Sequence, residues 1–142
     1  MDALTELAAK LGQQLQGKQA QVCTAESCSA RGIAEAITRI VGSSAWFEAG
    51  YVTYSNAQKT SQLSVPAALF EQVGAVSREV VEAMVGGACL HSGAQFGVAV
   101  SGIAGPDGGA PEKPVGTVWL AWSAYGRLSS RCCHFSGDRA EV

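Results

Sequence analysis

Leu4, Leu7, Leu11 and Leu15 recur at helical spacing between polar residues and predict an amphipathic helix from Ala3 to Gln16. The run Gln21-Val22-Cys23-Thr24-Ala25 that follows is short and partly β-branched, as a buried strand would be. Glu26 and Ser27 interrupt it, and Ile33, Ala36, Ile37 and Ile40 then return to helical spacing. The second helix is therefore expected to run from Cys28 to Ile40, with Ser27 at a strand-to-helix junction, where α/β proteins place chemistry.

Gly42-Ser43-Ser44 breaks that helix, and Trp46 to Tyr54 is rich in aromatic and β-branched residues, which predicts a second strand. Ser55 and Asn56 are good caps for a short helix through Lys59 and Leu63, and Pro66 suits the first turn of another. Ser77 should cap a helix from Arg78 to His91, with Glu79 in its first turn. Phe96 to Val100 reads as a third strand, and the glycines and proline of Ser101 to Gly109 are expected to end it in a loop. Val115 to Trp122 and Leu128 to Phe135 then form a hairpin around Tyr125-Gly126-Arg127. This order predicts an α/β protein, a three-layer α/β/α sandwich with a mixed sheet of about five strands. The end of the chain, Asp138 to Val142, looks like the opening turn of a helix whose apolar stripe is not yet written.

The chain has 142 residues, which predicts a single domain over 1–142. A net charge of -2 with scattered Lys and Arg gives no footprint for nucleic acid. No apolar stretch reaches membrane-spanning length, and the first helix lacks the apolar centre of a signal peptide. The 5 cysteines show no CxxC spacing and there are only 2 histidines, so neither a zinc site nor a disulfide framework is expected. Reduced thiols in a cytoplasmic protein fit better.

Four places carry candidate chemistry. A hydroxyl at a helix N-terminus, as expected for Ser27, lies beside unpaired N–H groups able to stabilise an oxyanion, although an ordinary N-cap has the same pattern. Lys59 can act as a base only if burial keeps its amine neutral, and on a polar helix it also reads as a solvated residue. The glycine loop lacks both GxGxxG and a Walker ending. Arg139 beside Asp138 offers a fork for a phosphate or carboxylate, or a surface ion pair.

Several segments, taken in order, resemble one family. They are Thr24-Ala25-Glu26-Ser27-Cys28, Gly42 to Phe47, Tyr54-Ser55-Asn56 with Lys59, Gly74 to Ser77, Ser101 to Gly109, Glu112 to Trp119 and Ser136 to Arg139. Together the chain is similar to the CinA C-terminal domain family. That resemblance implies a stand-alone amidohydrolase converting nicotinamide mononucleotide to nicotinate mononucleotide and ammonia by a serine-lysine mechanism, with no cofactor or metal. It implies Ser27 as nucleophile, Lys59 as base, Tyr54 as their helper and Arg139 as phosphate ligand. Ser44, Ser101, Gly102 and Gly105 are further substrate-binding candidates, and the expected partner is a small nucleotide, with a homodimer as the assembly. The unfinished helix at Asp138 to Val142 predicts that the domain lacks its last helix. The family motif continues Thr-Gly-Gly where this chain has Ser29-Ala30-Arg31. Side chains in place of two glycines make a pyridine-nucleotide-binding module with weak or no turnover the alternative.

Overall fold

The computed structural model describes residues 2–29, 31–103, 105 and 108–137. Arg139 and the expected opening of a last helix lie outside the described residues.

Helix α1 spans Ala3–Lys18 and begins where the Asp2 carboxylate accepts the Thr5 amide at 2.8 Å. Strand β1 (Val22–Glu26) follows, then helix α2 (Gly32–Thr38), a 3-10 turn at Ser43–Ala45 and strand β2 (Phe47–Val52). Helices α3 (Asn56–Leu63), α4 (Ala68–Gln72) and α5 (Arg78–Ser92) lead to β3 (Phe96–Gly102), β4 (Thr117–Ala124) and β5 (Arg127–His134). Ser55 and Ser77 cap α3 and α5 as expected, accepting the amides of Gln58 and Val80. The β4–β5 turn has positive φ at Tyr125 and Gly126, the backbone a two-residue hairpin requires.

The sheet order is β2-β1-β3-β4-β5, with β1 parallel to both neighbours and the last two pairings antiparallel. Alternation along β1 separates two cores. Val22 packs with Leu15 of α1, Ile37 of α2 and Trp46, whereas Cys23 and Ala25 pack with Leu63 of α3 and Val81, Met84 and Val85 of α5. The connection from β1 to β2 thus covers one face and that from β2 to β3 the other, so strand order reverses beside β1. A cleft opens at such a switch point, outside the carboxyl ends of the strands.

Two expected boundaries are corrected. Helix α2 starts at Gly32 rather than Cys28, leaving a turn after β1. The cause is Glu26, whose carboxylate accepts the amides of Ile33 and Ala34 at 2.7 and 2.9 Å and so fixes where the helix begins. Strand β3 continues through Ser101 and Gly102, which pair with Trp119 and Val118. Glycine suits that last position because a Cβ there would lie 2.9 Å from the Thr117 carbonyl and 3.0 Å from Cys28 Sγ.

Candidate active site

Ser27 follows the last residue of β1 and keeps its strand alternation, so its side chain lies on the same face as Cys23 and Ala25, toward α3. Its amide donates to the Val100 carbonyl at 3.2 Å, extending the β1–β3 ladder by one step. Its hydroxyl meets Lys59. The Nζ of that lysine lies 3.2 Å from Ser27 Oγ, and donates to the main-chain carbonyls of Thr53 at 2.9 Å and Tyr54 at 3.1 Å.

Lys59 is 1% exposed, and among the described residues every hydrogen-bond partner of its amine is neutral. Among the described residues both ion pairs belong to Arg39. Burial disfavours the ammonium, and it pushes the Lys59 pKa below its ordinary 10.5. The same burial pushes the neighbouring Cys28 thiol up, with the Glu26 charge adding to the effect. Cys28 is thus held as a protonated thiol beside the serine.

These groups open onto a cavity of about 260 Å3. Its lining includes Ser27, Tyr54 and Lys59, Ala75 and Val76, and Ser101, Gly102, Ile103, Gly105 and Gly108. Gly105 and Gly108 have positive φ, and a Cβ on Gly105 would collide with Val115. The volume is near the small end of ligand sites, and its lining mixes apolar wall with hydroxyls and backbone. Among the described residues no group of three or more His, Cys, Asp or Glu is placed to hold a metal ion.

The structure brings together most of the expected residues, and not all. Ser27, Tyr54, Lys59, Ser101, Gly102 and Gly105 share the cavity. Ser44 does not reach it: it is exposed in the 3-10 turn before β2, beside the Val22–Trp46 hydrogen bond, at the opposite end of the parallel strands. Tyr54 is 62% exposed, and its carbonyl is the part that holds Lys59. The α2 amides expected near an oxyanion are taken by Glu26 instead. Ala75 and Val76 had a sequence signal in the Gly74 to Ser77 segment but were not expected as lining. Arg31 is exposed at φ -123, a conformation open to any residue, and lines a groove between α1 and α2 rather than the cavity.

The arrangement defines a class, a hydrolase-like cleft with a hydroxyl facing a buried amine. Residues 4–142 match the model of the CinA C-terminal domain, and the chain belongs to that family. The chain is 68% identical over its whole length to nicotinamide-nucleotide amidohydrolase PncC of Pseudomonas putida, covering 89% of that protein. It is 50% identical to the PncC of Escherichia coli strain K12, over 98% of this chain and 85% of the relative. The crystal structure of the competence/damage inducible protein CihA from Agrobacterium tumefaciens superposes with a TM-score of 0.96 at 41% identity, covering 99% of this chain and 87% of that one.

Proposed function

We propose that this protein is an amidase that hydrolyses the carboxamide of nicotinamide mononucleotide to nicotinate mononucleotide and ammonia, a step of pyridine-nucleotide salvage in the cytoplasm. High identity to relatives named for that activity supports the substrate. The observation that carries the chemistry is a buried amine with no ion-pair partner among the described residues, 3.2 Å from a serine hydroxyl at a cavity wall. On this reading neutral Lys59 donates its N–H groups to the Thr53 and Tyr54 carbonyls and accepts the Ser27 proton on its lone pair. Ser27 Oγ bonds to the carboxamide carbon as that proton moves. Protonated Lys59 returns it to the nitrogen, the C–N bond breaks, and ammonia leaves an ester on Ser27. Water then attacks the ester, gives a proton to Lys59, and Ser27 recovers it as nicotinate mononucleotide is released. Main-chain N–H groups of the turn after β1 and of the glycine-rich wall are the oxyanion donors on this reading, the Tyr54 phenol orients substrate or shares the proton, and Arg139 binds the phosphate.

The test is ammonia release from nicotinamide mononucleotide by the purified protein beside Ser27→Ala and Lys59→Ala. Turnover by the parent and loss in both variants is the expected result. Full rate in Ser27→Ala would assign the nucleophile elsewhere.

A further inference from the structure

Glu26 is fully buried, yet among the described residues no cation faces it. Its charge is met by three hydrogen bonds. Oε1 accepts the Ser29 hydroxyl at 2.7 Å and the Ile33 amide at 2.7 Å, and Oε2 accepts the Ala34 amide at 2.9 Å. Its main chain is held as well, since the Glu26 carbonyl accepts the Thr53 amide at 3.0 Å. A side chain at the last position of β1 therefore grips both ends of the turn that follows, Ser29 within it and the first amides of α2 beyond it. Ser27 and Cys28 are clamped between the strand and that grip.

The geometry points to Glu26 as the positioning residue of the nucleophile. It is not among the residues that line the cavity beside Ser27, and its carboxylate bonds to α2 while Ser27 faces α3, so it acts by fixing the path of the chain rather than by contacting substrate. Ser29 is the second half of the device. Its hydroxyl, which a threonine would keep and an alanine remove, is the group that donates to Glu26. The carboxylate suits this task because it has acceptor sites for three donors and its charge complements the helix N-terminus. A glutamine keeps the shape but turns an NH2 toward an amide, leaving one buried donor unmet.

This inference rests on Ser27 being the nucleophile, and the experiment separates the two. Ammonia release from nicotinamide mononucleotide is measured against substrate concentration and pH for Glu26→Gln, Ser29→Ala, Ser29→Thr and Ser27→Ala, with circular dichroism melts reporting folding. A folded Glu26→Gln should lose about ten- to a hundredfold in kcat with KM nearly unchanged, as misplacement of a reacting group does, and the pH at which activity falls on the acid side should not move. Unchanged kcat in folded Glu26→Gln overturns the inference. So does a shift of the acid limb at unchanged plateau rate, which would make Glu26 an electrostatic partner of Lys59. If Glu26→Gln does not fold, the serine pair decides. A kcat reduced several-fold in Ser29→Ala and restored in Ser29→Thr supports the role, and parent rate in Ser29→Ala overturns it. Full activity in Ser27→Ala refutes the nucleophile while leaving the Glu26 measurements readable on their own.

Discussion

The two faces of the sheet at the end of β1 each bury one ionisable side chain, and they treat its charge in opposite ways. On the α2 face Glu26 is surrounded by donors, two of them amides in the first turn of a helix, so both of its carboxylate oxygens are hydrogen-bonded. On the α3 face Lys59 meets, among the described residues, two carbonyls and a hydroxyl, and burial works against its ammonium. Equal burial therefore gives a fully hydrogen-bonded carboxylate in one place and, in the proposed mechanism, a proton acceptor in the other. What differs is the partner set, and strand alternation sends adjacent residues, Glu26 and Ser27, to the two environments.

The hardest way to break this contrast is to remove the amine. Lys59→Met should leave the protein folded and lower kcat/KM for amide hydrolysis by about 10²- to 10⁴-fold, the usual contribution of a positioned base, as read by ammonia release. The pH dependence sharpens the same point. A base works only when neutral, so kcat/KM should rise with pH through the lowered Lys59 pKa and level off below the ordinary 10.5. Stability follows with a defined sign. The folded state binds fewer protons at Lys59 than the unfolded chain does between the lowered pKa and 10.5. The melting temperature should therefore gain a rising component with pH across that window, absent from Lys59→Met.

A smaller effect comes from how α3 is carried. Gly87 of α5 lies against the backbone of Leu63, where any Cβ would collide with the carbonyl, so the two helices approach closely enough to seat Lys59 over Ser27. Gly87→Ala should cost about 1–3 kcal/mol in denaturant unfolding, typical of overpacking. It should also lower kcat more than it raises KM, because the displaced helix holds the proposed base and not the glycine-rich wall. Unaltered kcat in a destabilised variant would show that α3 moves without carrying Lys59 away.

Local pattern was enough for much of the frame. Leucine spacing in α1, the caps Ser55 and Ser77, and the Tyr125–Gly126 turn act within a few residues, and each predicted its element. The start of α2 was not legible in the same way, because apolar spacing runs back toward Cys28 while a carboxylate from the preceding strand decides where amides are first satisfied. Lys59 likewise looked solvated on a polar helix. Its burial is a property of β1, β2 and α3 packed together, which no window of sequence contains. Ser44 shows the converse, since a motif match brought it to the candidate set and parallel pairing puts it at the far end of the strands. Glu26 carried one signal, a charged residue closing an otherwise buried strand run, which demands partners wherever it folds.

The gentlest test concerns the departure of this chain from its family in the turn that Glu26 grips. Arg31 has φ -123 and ψ 21, carries no capping bond from its side chain and lines the groove of about 840 Å3 between α1 and α2. Its carbonyl accepts the Glu35 amide at 2.8 Å, a main-chain bond that glycine also makes. Arg31→Gly should therefore keep kcat/KM within about twofold and lose under about 1 kcal/mol from the added freedom of the unfolded chain. A tenfold change in KM would mean that this turn reaches the ligand from the α2 side, and the two faces of the sheet would then share the site rather than divide its labour.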